Sequence, residues 1–146
     1  MNFASKLSYT AMCLGSAVLA ASGIGVFVLG SPPMTHWVLL AHVAAAPVFA
    51  VALAVTALTW GEQCSNGSSP HLGVAAKALF WVMLVCGLVV ILSGVMPMTP
   101  LFGTDGQRVL YLTHRYAGMA FAVAVLLHLL TLRCCGSRAK GQKASK

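Results

Sequence analysis

Acidic residues are almost missing from this chain: Glu62 and Asp105 are the only two in 146 residues, against nine lysines and arginines. No apolar stretch contains a carboxylate and no two carboxylates are paired in sequence, so two-carboxylate hydrolysis and carboxylate-coupled ion transport have no residues to run on. Charge of either sign is scarce. Charged residues make up 8% of the chain, where a soluble domain carries about 25% to solvate its surface. No phosphate-binding glycine loop and no nucleophile triad is present, and no polar stretch is long enough for a soluble catalytic domain. What the chain has is apolar side chains, at 59% with a mean hydropathy of +0.88. That composition belongs in a bilayer, and 146 residues suffice for four spans of about 20 apolar residues with short connections.

The apolar runs predict four helices over about 7–29, 34–60, 74–96 and 107–132. Gly30-Ser31-Pro32-Pro33 stops the first, the polar stretch Gly61 to Pro70 follows the second, and Pro97 and Pro100 close the third. The first run is too long for the 7–15 residue core of a secretory signal peptide and is read as a span. Residues 134–146 are rich in Lys, Gly and Ser and are expected to form a basic, disordered cytoplasmic tail. The fold class expected is thus an all-α membrane protein, a four-transmembrane-helix bundle with residues 1–133 as its membrane domain.

Basic residues set the orientation, because Lys and Arg flanking spans stay in the cytoplasm. With both termini inside, the inner side holds Lys6, Lys77, Arg133, Arg138, Lys140, Lys143 and Lys146, and the outer side only Arg108 and Arg115. The expected location is a bacterial inner membrane. Topology and attraction to anionic lipids account for the net charge of +7, which therefore gives no support to nucleic-acid binding.

Three of the five histidines, His42, His114 and His128, fall well inside the spans, where polar side chains are costly and are kept for function. His42 on helix II and His114 on helix IV lie at matched depth near the outer face, on helices running in opposite directions. Two neutral imidazoles facing each other across a bundle suit the axial positions of a haem b. His128 follows His114 by fourteen residues, which returns it to within about 40° of the same helix face and about 21 Å deeper. Helix IV thus offers two stacked positions. Taken singly, each histidine is better read as hydrogen-bonding a neighbouring helix; the matched depth of His42 and His114 together favours haem. His36 beside Trp37 is read as interfacial, and His71 as a loop residue. The five cysteines include no C-x-x-C-H, which excludes covalent c-type haem. Cys13 and Cys86 read as packing residues, while the adjacent Cys134-Cys135 is a weak candidate for lipidation.

These segments together resemble the four-helix di-haem cytochrome b subunits of membrane-bound formate dehydrogenases, relatives of hydrogenase b-type cytochromes. The likeness is carried by His114-Arg115-Tyr116-Ala117-Gly118 with Leu126-Leu127-His128, by Lys77-Ala78-Leu79-Phe80-Trp81 with Leu92-Ser93-Gly94, by Ser22-Gly23, and by the position of His42. It implies an outer haem on His42 and His114. Arg108 and Arg115, the only basic residues on the outer side, suit its propionates, with interfacial snorkelling the alternative, evenly balanced for Arg108. The resemblance also implies an inner haem on His128 and a helix I histidine. Here the chain departs from the pattern: counting back from Ser22-Gly23 places Tyr9 at that position. His128 is left with three readings: a second haem shared with His71 or another partner, a five-coordinate haem, or a quinone pocket with Tyr9, His71 and Lys77. The function implied is a haem-b electron-transfer anchor subunit of a respiratory redox complex. It would pass electrons between an iron-sulfur or multihaem cytochrome c partner and membrane quinone, without completing an enzyme alone. The alternative is a haem-free structural anchor whose histidines serve packing.

Overall fold

The computed structural model describes residues 3–30, 34, 36–65 and 74–144, with side chains over 5–30, 34, 36–61 and 74–132. Four helices make up the described chain, α1 (Phe3–Val28), α2 (His36–Ser65), α3 (Val74–Val95) and α4 (Thr104–Ala144), with a 3-10 turn at Met96–Met98. No strand occurs among the described residues. Each helix contains a span long and apolar enough to cross a membrane, Ser5–Val28, His36–Gly61, Val74–Met98 and Thr104–Leu132. The four expected spans are thus present, with shifted ends. α2 runs on through Gly61 to Ser65, and α4 starts before Gln107 and continues past Leu132 to Ala144.

Local chemistry explains the ends. Gly30 closes α1 with φ +65°, a left-handed conformation that costs glycine nothing, and its N–H donates to the Phe27 carbonyl at 3.3 Å. After α3, Pro97 stands inside the 3-10 turn, and Thr99 satisfies the Met96 carbonyl through both its N–H (3.0 Å) and its hydroxyl (2.7 Å). Pro47 lies inside α2 without ending it, as a bundle with apolar neighbours permits.

The helices alternate in direction and pack as two antiparallel hairpins, α1 against α2 and α3 against α4, whereas α1–α4 and α2–α3 approach more sparsely. One end of the bundle carries the α1–α2 and α3–α4 connections and is called the two-loop end; the other carries both termini. The hairpins repeat one pattern. Adding 71 to Lys6, Met12, Ser22 and Gly23 gives Lys77, Met83, Ser93 and Gly94; adding 72 to His42, Phe49, Ala52 and Thr59 gives His114, Phe121, Ala124 and Thr131. Burial follows the same register. Met12 and Met83 are both fully buried, and Phe49, Phe121, Ala52 and Ala124 all lie in the core.

Between the hairpins the core is thin. Phe49 and Phe121 meet edge to face at 5.2 Å, and Gly87 of α3 lets Leu53 of α2 come so close that a Cβ at position 87 would stand 2.6 Å from its methyl group. Only 11% to 22% of each span is buried inside the bundle, and large apolar side chains such as Leu14, Val51, Val85 and Val123 point outward. In water such a surface would aggregate; in lipid it is the ordinary outer face of a spanning helix.

Candidate functional site

His42 and His114 meet at the two-loop end. Their rings stand 6.2 Å apart between centroids and are turned 71° to each other. His42 projects from α2 and His114 from α4, the two diagonal helices, so the pair bridges the gap between the hairpins.

Each ring is held from behind by its own hairpin. The Ser22 hydroxyl oxygen lies 2.8 Å from the Val18 carbonyl of α1 and 2.7 Å from His42 Nδ1. The one hydroxyl hydrogen of Ser22 can serve either the helix or His42 Nδ1. His114 Nδ1 lies 3.0 Å from the Val90 carbonyl, which only accepts, so Nδ1 must carry the hydrogen; Ser93 Oγ is 3.3 Å away. The carbonyl thus fixes the tautomer of His114 and leaves its Nε2 with a lone pair. The neighbouring glycines give the rings room. A Cβ at Gly94 would stand 3.1 Å from His114 Cε1, and one at Gly23 would stand 3.8 Å from His42 Cε1. A Ser-Gly pair on α1 and its repeat on α3 therefore seat one histidine each.

Arg115, next to His114, lays its guanidinium over the Phe27 ring of α1 at 3.9 Å, and its Nε is buried without a hydrogen-bond partner. Arg108 is exposed at the start of α4, and His36 and Trp37 are exposed at the start of α2.

The end with the termini is built differently. Trp60 of α2 is stacked on Tyr9 of α1 (5.2 Å between centroids, 11° between planes) and on Phe80 of α3 (6.0 Å, 27°). His128 of α4 meets all three rings, Trp60 at 6.2 Å, Phe80 at 6.3 Å and Tyr9 at 6.4 Å. His128 is 1% exposed; its ring nitrogens make no hydrogen bond of full geometry, and the Ala76 backbone of α3 is a weak partner. The hydroxyl of Thr56 and Nε1 of Trp60, one helical turn apart on α2, are buried and unpartnered.

The structure thus brings His42 and His114 together, and joins Tyr9 to His128. Lys77 lies half-buried one turn before Phe80 on α3, and His71 lies outside the described residues. Cys13 and Cys86 pack against the core as free thiols. Among the described residues no group of three or more His, Cys, Asp or Glu side chains is placed to hold a metal ion. Sequence reasoning missed Trp60, Phe80 and Thr56, and missed that Ser22 and Ser93 orient the histidines. The 71 and 72 residue offsets were the available signal, since they align Ser22 with Ser93, Tyr9 with Phe80 and Thr56 with His128. Comparisons with protein families, with curated proteins and with solved structures found no match to this chain.

Proposed function

We propose that the chain is a haem-b electron-transfer subunit that anchors a respiratory redox complex in a bacterial inner membrane, with the two-loop end facing outward. The observation that carries this reading is the His42–His114 pair. The two rings stand 6.2 Å apart between centroids, near enough that both imidazoles would hold one haem iron. Both Nδ1 atoms are engaged by the chain, as the outer hydrogen bond of a ligating histidine requires, and ligation through Nε2 would have His42 donate from Nδ1 to Ser22. The sparse contact between hairpins suits a flat apolar group, and the donor set fits haem b.

Haem supplies reversible one-electron chemistry when bound. The chain's residues do the rest. Ser22 and the Val90 carbonyl fix ring orientation and basicity, Gly23 and Gly94 admit the rings close to the backbone, and the surrounding apolar side chains exclude water. Arg115, whose buried Nε lacks a partner, supplies positive charge for a propionate, with Arg108 a second candidate nearer the surface. The resemblance to formate dehydrogenase b subunits supports the same reading, with an iron-sulfur or cytochrome c partner outside and quinone as the membrane-side reactant. The basic residues on the termini side set the orientation.

One observation favours a haem-free anchor: each histidine already makes a hydrogen bond within its hairpin, as a packing histidine would. A reduced-minus-oxidised visible spectrum of the purified protein separates the two. A b-type spectrum lost in both His42→Ala and His114→Ala is expected; a spectrum that survives either change overturns the ligand assignment, and its absence from the unaltered protein favours the anchor.

A further inference from the structure

Among the described residues His128, at the end with the termini, is the one histidine buried in the bundle core, and the repeat shows what has become of its counterpart. Thr56 stands on α2 where the 72-residue offset places the equivalent of His128. The stacked neighbours Tyr9 and Phe80 are themselves equivalents under the 71-residue offset, and neither supplies a ligand nitrogen. Between them lies the indole of Trp60, nearly parallel to Tyr9 at 11° and tilted 27° from Phe80. A flat ring system already fills the space between the helices at this depth.

We propose that this end is a closed counterpart of the histidine pair, plugged by Trp60, and that the chain therefore holds one haem where its four-helix plan has places for two. The proposal rests on the haem reading of His42 and His114. Every helix contributes to the plug: Tyr9 from α1, Trp60 from α2, Phe80 from α3 and His128 from α4. Trp60 is 6% exposed and Phe80 0% exposed, so a porphyrin could enter only by expelling core side chains. With one haem, electrons enter and leave the chain through the same half of the bilayer, since His128 lies about 21 Å deeper than His114 along the helix.

The test is haem stoichiometry, measured by the pyridine haemochrome method against chain concentration for the purified full-length protein in detergent. One haem per chain is expected, and the same count in His128→Phe, which keeps a ring at that position. Two haems per unaltered chain overturn the proposal while leaving the outer pair intact. A lower count in His128→Phe with helix content retained overturns it too, since His128 would then hold haem. No haem at all overturns the reading of His42 and His114 beneath it. Should His128→Phe fail to fold, the count on the unaltered chain decides alone.

Discussion

The two ends of this bundle are made from the same hairpin pattern and yet present opposite chemistry. At the two-loop end the repeat is kept: Ser-Gly faces histidine twice, each imidazole is oriented from behind, and the two rings meet across a gap. At the other end it is broken: Thr56 stands opposite His128 in register, and Trp60 sits in a stack between Tyr9 and Phe80. Polar side chains inside a bilayer persist where something answers their hydrogen-bonding groups. His42 and His114 are each answered on Nδ1 by a neighbouring helix, whereas His128 has only a weak contact to the Ala76 backbone.

The largest effect that tests this contrast is chemical rescue. His42→Gly should lose the b-type spectrum entirely, and imidazole added to the solution should restore it by occupying the emptied space beside Gly23. A spectrum that persists in His42→Gly without imidazole would place the ligand elsewhere and dissolve the distinction between the ends.

The second test reverses the difference. Tyr9→His combined with Trp60→Gly restores a ligand and removes the plug, and the haem count should rise from one toward two per chain. A count fixed at one in a variant of normal helix content would mean that Trp60 is not what closes this end.

These tests also separate what the sequence disclosed from what it concealed. The spans were legible because nothing but apolar runs of that length fits a bilayer. The histidine pair was legible because depth along a helix follows from residue count. Rotation about the helix axis was not, since helices that are apolar all round carry little record of which face meets which neighbour; the partners Ser22 and Val90 came only with packing. Trp60 closes an apolar run, where an aromatic reads as an interfacial anchor, and its place inside the core is set by Tyr9 and Phe80 from two other helices. The ends of α2 and α4 ran past expectation because Gln, Lys, Arg and Ala in the polar segments are good helix formers, and no proline follows Leu132.

A smaller effect is expected from Gly94→Ala. The added methyl would stand 3.1 Å from His114 Cε1, so the ring must shift by a few tenths of an ångström. Gly23→Ala meets its histidine at an ordinary 3.8 Å. Gly94→Ala should alter the haem's low-spin electron paramagnetic resonance signal, which reports the angle between the axial rings, while Gly23→Ala leaves it close to unaltered. Equal responses would show that the glycines do not seat the rings individually.

The finest distinction lies within the pair itself. His42 Nδ1 has one partner, Ser22, whereas His114 Nδ1 has the Val90 carbonyl and only a longer contact to Ser93. Ser22→Ala removes the one partner of His42 Nδ1, and loss of such an outer partner typically weakens metal binding by about 10–100-fold. Ser93→Ala removes the weaker of two contacts and leaves the carbonyl in place, so its effect should stay within a few fold. Transfer of haem to an excess of apomyoglobin measures this directly, the expected order of loss being Ser22→Ala first, then Ser93→Ala, then the unaltered chain. If the two serine variants release haem equally, Val90 is not the anchor of His114, and the equivalence of the two Ser-Gly seats extends to their energetics as well as to their position.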